Sequence, residues 1–305
     1  MKVSGPGPRP DGCEGSLDGD EAGETSRTWP RRSGRSAMLT LACALSAVAL
    51  LAVVVFIAIQ SAMDGGLVVW DARVTESVVT SRTVLGSRIF WGFTLLGVTP
   101  VVIVLTVTVA TLLAVWGRRT SAVLFVVGVG VAAGVSSLLK FALHRTRPSD
   151  ALALIETPSS HSLPSGHALV MGVFFGLLVL IVLKMWAGRR ETTEKGVSSD
   201  RRNRFWAVWA VGAVIFALGV VGAIGFSRVY LGVHWMSDVI AGWCMAGVLL
   251  ILAWSVLRVW ERNRWRPGDG TLWGNSASRA AVLVALIVVV VVVLILAARA
   301  KPLLV

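Results

Sequence analysis

The sequence predicts an all-α, polytopic membrane helix bundle. Three observations carry that prediction. The 305 residues are 55% hydrophobic and 15% charged, whereas soluble domains are about a quarter charged. Seven apolar runs punctuate the chain, each near the ~20 residues that cross a hydrocarbon core at roughly 1.5 Å per residue. Finally, 20 of the 29 Lys and Arg residues fall in the N-terminal tail and in alternate connections between those runs, the distribution the positive-inside rule requires.

Residues 1–37 are rich in Gly, Pro, Ser and charge and lack apolar periodicity, which predicts a disordered tail. The first run, Met38 to Ile59, follows Arg31, Arg32 and Arg35. It reads as a retained span; a signal peptide would have a shorter apolar region ending in a small-residue cleavage site. Residues 64–90 alternate apolar and polar positions, with Val74, Val78 and Leu85 near one helical face. A helix lying at the membrane interface fits, and an ordinary surface loop is the alternative. Spans follow at Trp91–Val115, Ala122–Lys140, His167–Met185, Trp206–Phe226 and Ser237–Leu257, with a last one at Ala280–Ala298. Trp91, Trp116, Trp186, Trp206, Trp235 and Trp260 mark run ends, where amphipathic rings favour the interface. Gly130-x-x-x-Gly134 and Gly172-x-x-x-Gly176 are expected to allow close helix contacts. The last run lacks Gly and reads as an accessory span. The expected domains are therefore a cytoplasmic tail (1–37), a membrane domain (38–258), a linker (259–279) and an accessory helix (280–305).

With the N-terminus in the cytoplasm, the basic residues of the tail and of 117–121, 184–205 and 258–279 lie inside. The net charge of +12 is then chiefly a topology signal, and nucleic acid is not an expected partner. The three cysteines, Cys13, Cys43 and Cys244, have no metal-type spacing and imply no disulfide framework. The outer face nevertheless keeps Lys140, Arg145, Arg147 and Arg228, which the rule does not need.

Those cations lie in three segments that border spans at the same face: Lys140 to Arg147-Pro148, Pro164-Ser165-Gly166-His167, and Ser227-Arg228-x5-His234-x3-Asp238. Cations at a bilayer edge are costly without partners, and an anion offsets the cost. Arg presents a planar fork to phosphate oxygens and Lys a point charge. Ser165 and Gly166 precede a helix whose N-terminal N–H groups suit an anion. Together, Lys140, Arg147, Ser165, Gly166 and Arg228 read as a phosphate cradle. If a helix begins near His234, Asp238 lies one turn on and orients the imidazole. His234 is then placed to attack phosphorus and His167 to protonate the leaving oxygen. His144 and His161 read as structural, and Arg145 as ambiguous, at most a contact for lipid headgroups. A zinc site from His161, His167, His234 and Asp238 is a weaker alternative, because three neighbouring cations repel a metal and the ligand spacing is unconvincing. No cofactor or metal is expected.

These segments resemble the tripartite signature of the type 2 phosphatidic acid phosphatase family, which shares its site with vanadium haloperoxidases. The family pattern, Lys-x6-Arg-Pro, Pro-Ser-Gly-His and Ser-Arg-x5-His-x3-Asp, is present at every fixed position, and the resemblance covers roughly residues 90–257. It implies a six-helix core, phosphate binding by Lys140, Arg147, Ser165, Gly166 and Arg228, acid–base catalysis by His167, nucleophilic attack by His234 with Asp238 as its partner, and no metal requirement. The seventh run departs from that core.

A site at headgroup depth suits a lipid phosphate, and the short 149–163 linker leaves no room for a large lid domain. The expected function is a plasma-membrane lipid phosphatase with its active site on the outer face. Its first expected substrate is a polyprenyl diphosphate such as undecaprenyl or decaprenyl diphosphate, whose hydrolysis recycles a cell-wall carrier. Phosphatidic acid and phosphatidylglycerol phosphate are close alternatives. Two other classes stay open: a phosphotransferase, in which an alcohol replaces water, and a non-enzymatic protein that binds anionic lipid. The intact His/His/Asp set argues against the last, since binding alone needs no oriented imidazole.

Overall fold

The computed structural model describes residues 1–2, 33–191 and 199–263. The chain divides into two compact units. In Met1–Thr40 the described part is Met1, Lys2 and the first turns of α1. All other described structure belongs to the unit that begins at Leu41. The expected accessory span at 280–298, most of the tail and most of the 259–279 linker lie outside the described residues.

Every regular element among the described residues is helical: α1 (Ser33–Ala62), α2 (Gly66–Thr80), α3 (Val84–Leu96), α4 (Thr99–Val115), α5 (Arg119–Leu143), a single 3-10 turn (Asp150–Leu152), α6 (Gly166–Glu191), α7 (Ser199–Tyr230) and α8 (Met236–Asn263). Five of these helices are long and apolar enough to cross a membrane, and α3 and α4 make a sixth crossing if taken together. The protein is a multi-pass membrane protein. The helices overrun their apolar stretches by several residues, because polar residues at membrane-water boundaries continue a helix at little cost once it is nucleated.

The expected single span at Trp91–Val115 is two helices bent by 54°. α3 begins at Val84, where Thr83 caps it by accepting a hydrogen bond from the Gly86 amide at 3.0 Å. It stops at Gly97, and Pro100, in the first turn of α4, restarts the helix where its missing N–H costs nothing. Trp91 accordingly lies within α3 and not at a run end.

The expected interfacial helix over 64–90 is also divided. α2 ends at Thr80, and α3 begins four residues later, at Val84. The face that α2 turns inward is polar, with Asp71 and Thr75 buried, while Val69, Trp70 and, beyond α2, Leu85 are exposed. Apolar positions look outward because lipid is their solvent, and buried Asp71 has protein partners in the site.

α6 is the central helix, packed against α5, α7 and α8. Phe125, Val129 and Ala132 of α5, Leu169, Val173 and Leu177 of α6, Ile224 of α7 and Ala241 and Ala246 of α8 form the core. In lipid such contacts gain from close packing more than from water exclusion, which favours small residues. Gly172 and Gly176 serve as expected, facing Ala246 and Leu250 of α8. Gly130 and Gly134 do not: a side chain at either would meet nothing within 4 Å. The close approach with functional consequence is at Gly242, where a Cβ would come within 2.9 Å of both the Ala168 methyl and the Ser165 carbonyl. That contact draws the start of α8 onto the start of α6.

Candidate functional site

Four helix ends and two connections converge at one end of the bundle: the C-terminal turns of α5 and α7, the N-terminal turns of α6 and α8, and the segments 144–165 and 231–235. The joint between α6 and α8 is a hydrogen bond from the Ser165 amide to the Asp238 carbonyl at 3.0 Å. It corrects one expectation. The Ser165 N–H is engaged within the protein, so this residue offers a ligand its hydroxyl.

Asp238 is buried in the first turn of α8. Its Oδ2 accepts from the Trp235 amide at 3.0 Å, one half of a capping box across the helix start. The same oxygen accepts from the Ser162 hydroxyl and lies 3.3 Å from His234 Nδ1. The helix starts at Met236, two residues after His234, so the capping turn brings this pair together in place of the helical step the sequence implied. On the other side of the ring, Arg147 Nη1 is 3.2 Å from His234 Nε2. A guanidinium only donates. Nε2 is therefore the acceptor, and Nδ1 carries the proton toward Asp238. Burial comes first, and the charges of Arg147, Lys140 and Arg228 follow, in holding the His234 imidazole well below its usual pKa, in its neutral form.

The cations are anchored by the surrounding backbone and, for Arg228, by a threonine hydroxyl. Lys140 Nζ donates to the His161 carbonyl at 2.9 Å. Arg147 donates to the carbonyls of Ser160 at 2.7 Å and Val233 at 2.6 Å. Arg228, buried in the last turn of α7, donates to Thr94 Oγ1 at 2.6 Å. Six buried side-chain polar atoms have no hydrogen-bond partner among the described residues, and three belong to this site: Ser165 Oγ, His167 Nε2 and Arg228 Nε. His167 lies beside the Thr94 backbone, and its unpartnered Nε2 is left for a ligand. It lies within electrostatic reach of Arg228, His234 and Lys140. Lys140, Arg147, Ser165, Gly166, His167, Arg228, His234 and Asp238 thus surround one region. Such an arrangement can bind a tetrahedral anion, offer it a neutral imidazole nitrogen, and exchange a proton at a second imidazole. Among the described residues, no three His, Cys, Asp or Glu side chains converge to hold a metal ion. His144 and His161 meet edge to face with centroids 4.6 Å apart.

Four contributors escaped the sequence reading. Arg145 is the principal correction: it is 8% exposed and bridges Asp71 and Asp238, so it does not serve lipid headgroups. Asp71 was hidden by its place in an apolar-polar alternation that marked it as a surface charge. Ser162 stands just before the Pro-Ser-Gly-His segment with no signal of its own. Thr94 reaches both Arg228 and His167 because the α3–α4 break lies beside them, and Gly97 followed by Val-Thr-Pro was the available clue.

The break also sets the place of His167. The His167 ring backs onto Gly97, where a Cβ would come within 2.8 Å of the imidazole Cγ. Gly97→Ala is expected to displace His167 and lower kcat by roughly 10²-fold, the effect of about 1 Å of misplacement of a reacting group. Steady-state kinetics with folded protein checks this.

Comparison with known proteins agrees with the architecture. A solved structure of a transmembrane PAP2-type phosphatidylglycerolphosphate phosphatase from Bacillus subtilis superposes with a TM-score of 0.59, covering 72% of this chain and 99% of that one at 22% identity. An undecaprenyl-diphosphatase from Sulfolobus acidocaldarius is 28% identical over 152 residues, or 48% of this chain and 61% of that protein. The phosphatidylglycerophosphatase B of Bacillus subtilis is 25% identical over 182 residues, or 60% of this chain and 80% of that protein. Both relatives carry phosphatase names. Residues 121–264, which carry all three motifs, match the PAP2 superfamily, and the chain is accordingly a membrane protein with a stretch similar to that family.

Proposed function

We propose that the protein is a lipid phosphatase that works through a phosphohistidine on His234. The observation that carries the reading is the set of three buried, unpartnered polar atoms, Ser165 Oγ, His167 Nε2 and Arg228 Nε, beside a neutral imidazole whose Nε2 is an acceptor. Buried polar groups are normally satisfied, and a phosphate supplies partners to all three.

The steps follow from the tautomers. His234 Nε2 gives its lone pair to phosphorus, the bond to the leaving oxygen breaks, and His167 donates a proton to that oxygen. Arrival of the phosphate offsets the charge of Lys140, Arg147 and Arg228, which lets His167 carry that proton. Charge on the transferring oxygens is stabilised by the same three cations with the Ser165 hydroxyl and the α6 N-terminus at Gly166. Water then gives His167 a proton, attacks phosphorus, and displaces His234 as inorganic phosphate forms. Asp238 holds Nδ1–H throughout.

The preferred substrate in this reading is a polyprenyl diphosphate, supported by the undecaprenyl-diphosphatase relative. Phosphatidylglycerol phosphate is the second reading, supported by the other relative and by the coverage of its chain. The membrane domain at 38–258 sits in the plasma membrane with the N-terminus cytoplasmic and the site outward, supported by the distribution of Lys and Arg. One experiment tests these points: phosphate release by the purified full chain from polyprenyl diphosphate, phosphatidylglycerol phosphate, phosphatidic acid and a soluble monoester, with and without EDTA. The same assay in sealed right-side-out vesicles reports the side of the site. Turnover of a lipid phosphate that persists in EDTA, with the monoester cleaved in intact vesicles, is expected. Release from no lipid sinks the phosphatase reading, monoester cleavage only after permeabilisation reverses the orientation, and transfer of phosphate to an added lipid alcohol in preference to water makes it a transferase.

A further inference from the structure

We propose that Asp71 and Arg145 are positioning residues for the His234–Asp238 pair, forming a charge-balanced brace that ties α2 to the reaction centre. The proposal rests on the assignment of His234 as nucleophile. Arg145 Nη1 donates to Asp238 Oδ1 at 2.6 Å, and Nη2 donates to Asp71 Oδ2 at 2.7 Å. Asp71 also accepts from the Ser237 amide at 2.9 Å and from the Ser237 hydroxyl, and Ser237 Oγ accepts from Arg145 at 2.7 Å. Asp71, Ser237 and Asp238 are fully or almost fully buried.

The geometry allots the two oxygens of Asp238 to different tasks. Oδ1 is taken by Arg145, while Oδ2 faces Trp235, Ser162 and His234. With Oδ1 held, the carboxylate cannot rotate away from the imidazole. The charges show why a second acid is required. Arg145 alone would neutralise Asp238 and weaken its hold on the Nδ1 proton. Asp71 shares the guanidinium, so the three groups together keep one negative charge, and Asp238 continues to act on His234 as an anion. A guanidinium can span two carboxylates in this way because its donors are fixed in a plane. His234 is otherwise faced by Lys140 from α5, Arg147 from the 144–165 connection, His167 from α6 and Arg228 from α7, all of them cationic or neutral. Asp71 and Asp238 are therefore the acids that set its charge balance.

A brace of this kind gives opposite signs for its two members, which a purely structural tie does not. The acid limb of kcat/KM reports the group that must be neutral in the free enzyme, here His234. Asp71→Asn removes a negative charge, makes the imidazolium less favourable, and moves the limb to lower pH. Arg145→Met removes a positive charge and moves it to higher pH. Each displacement should be about half a unit or more, with kcat reduced roughly 10-fold to 100-fold, the range known for groups that orient a metal-ligating imidazole. The experiment is the pH profile of phosphate release, from pH 4 to 9, by the purified full chain carrying each substitution, with the more active of the tested lipid phosphates. Opposite displacements support the brace. Limbs that stay at the wild-type position, or move in the same direction, overturn it. If a single variant does not accumulate, Arg145→Lys keeps the charge but cannot span both carboxylates. Its limb should stay in place while kcat falls about 10-fold, and wild-type kcat in that variant overturns the proposal. Retained turnover in His234→Ala would instead show that the nucleophile assignment had failed.

Discussion

Replacing His234 with Ala is expected to reduce phosphate release on the order of 10⁴-fold or more, as loss of the nucleophile does in other covalent mechanisms. The protein should remain folded in membranes. His234 is 2% exposed, but it lies in the connection between α7 and α8, outside the helix contacts that form the core. Its backbone amide bonds to the Arg228 carbonyl at 3.3 Å, which Ala retains. What Ala removes is one acceptor for Arg147 and one donor to Asp238. Arg147 keeps the carbonyls of Ser160, His161 and Val233, and Asp238 keeps Trp235, Ser162 and Arg145. The stability cost is therefore small and the chemical cost large. The check is phosphate release together with gel-filtration behaviour in detergent. Turnover within about 10-fold of wild type would remove the nucleophile assignment.

Much of this site was legible in the sequence, and what was not has a physical explanation. Lys140, Arg147, Ser165, Gly166, His167, Arg228, His234 and Asp238 could be picked out because each borders a long apolar run, and a run fixes the depth of its ends. Charged residues at equal depth on one face must meet or be solvated. That logic fails for Asp71 and Arg145, because it cannot say whether an interfacial charge turns outward or inward. Arg145 stands between His144, which takes a left-handed conformation at the end of α5, and Thr146. The direction of its side chain depends on that turn, which sequence spacing does not encode. The same limit applies to the α3–α4 break. Apolar content is continuous through Gly97 and Val98, so hydropathy reports one span, and the 54° bend rests on a Gly-Val-Thr-Pro sequence that straight helices also tolerate near their ends. Gly130 and Gly134 illustrate the reverse error. Their spacing permits a close contact, but only the position of a neighbouring helix decides whether one is made.

Asp238→Asn is expected to lower kcat by about 10⁴-fold, the loss seen when an orienting carboxylate of a catalytic His becomes an amide, and to leave KM within a few-fold. The shape of the side chain is kept, so the effect isolates charge and tautomer. If the amide keeps its oxygen toward the Trp235 amide, 3.0 Å away, the helix start remains capped. Its NH2 then replaces Oδ1 and confronts Arg145 with a donor where it met an acceptor at 2.6 Å. If the amide flips, its NH2 faces His234 Nδ1 and favours the tautomer with the proton on Nε2. That tautomer cannot accept from Arg147 and cannot attack phosphorus. Both orientations therefore lose the reaction, one by loosening the carboxylate's anchor and its charge, the other by blocking the nucleophile. Lys140, Arg147 and Arg228 of the phosphate cradle keep their other partners in either case, which is why KM should hold. Steady-state kinetics with separate kcat and KM decides: a raised KM with wild-type kcat would show that the Asp238 carboxylate serves only to cap the start of α8, and that His234 is oriented by Arg147 and Ser162 without it.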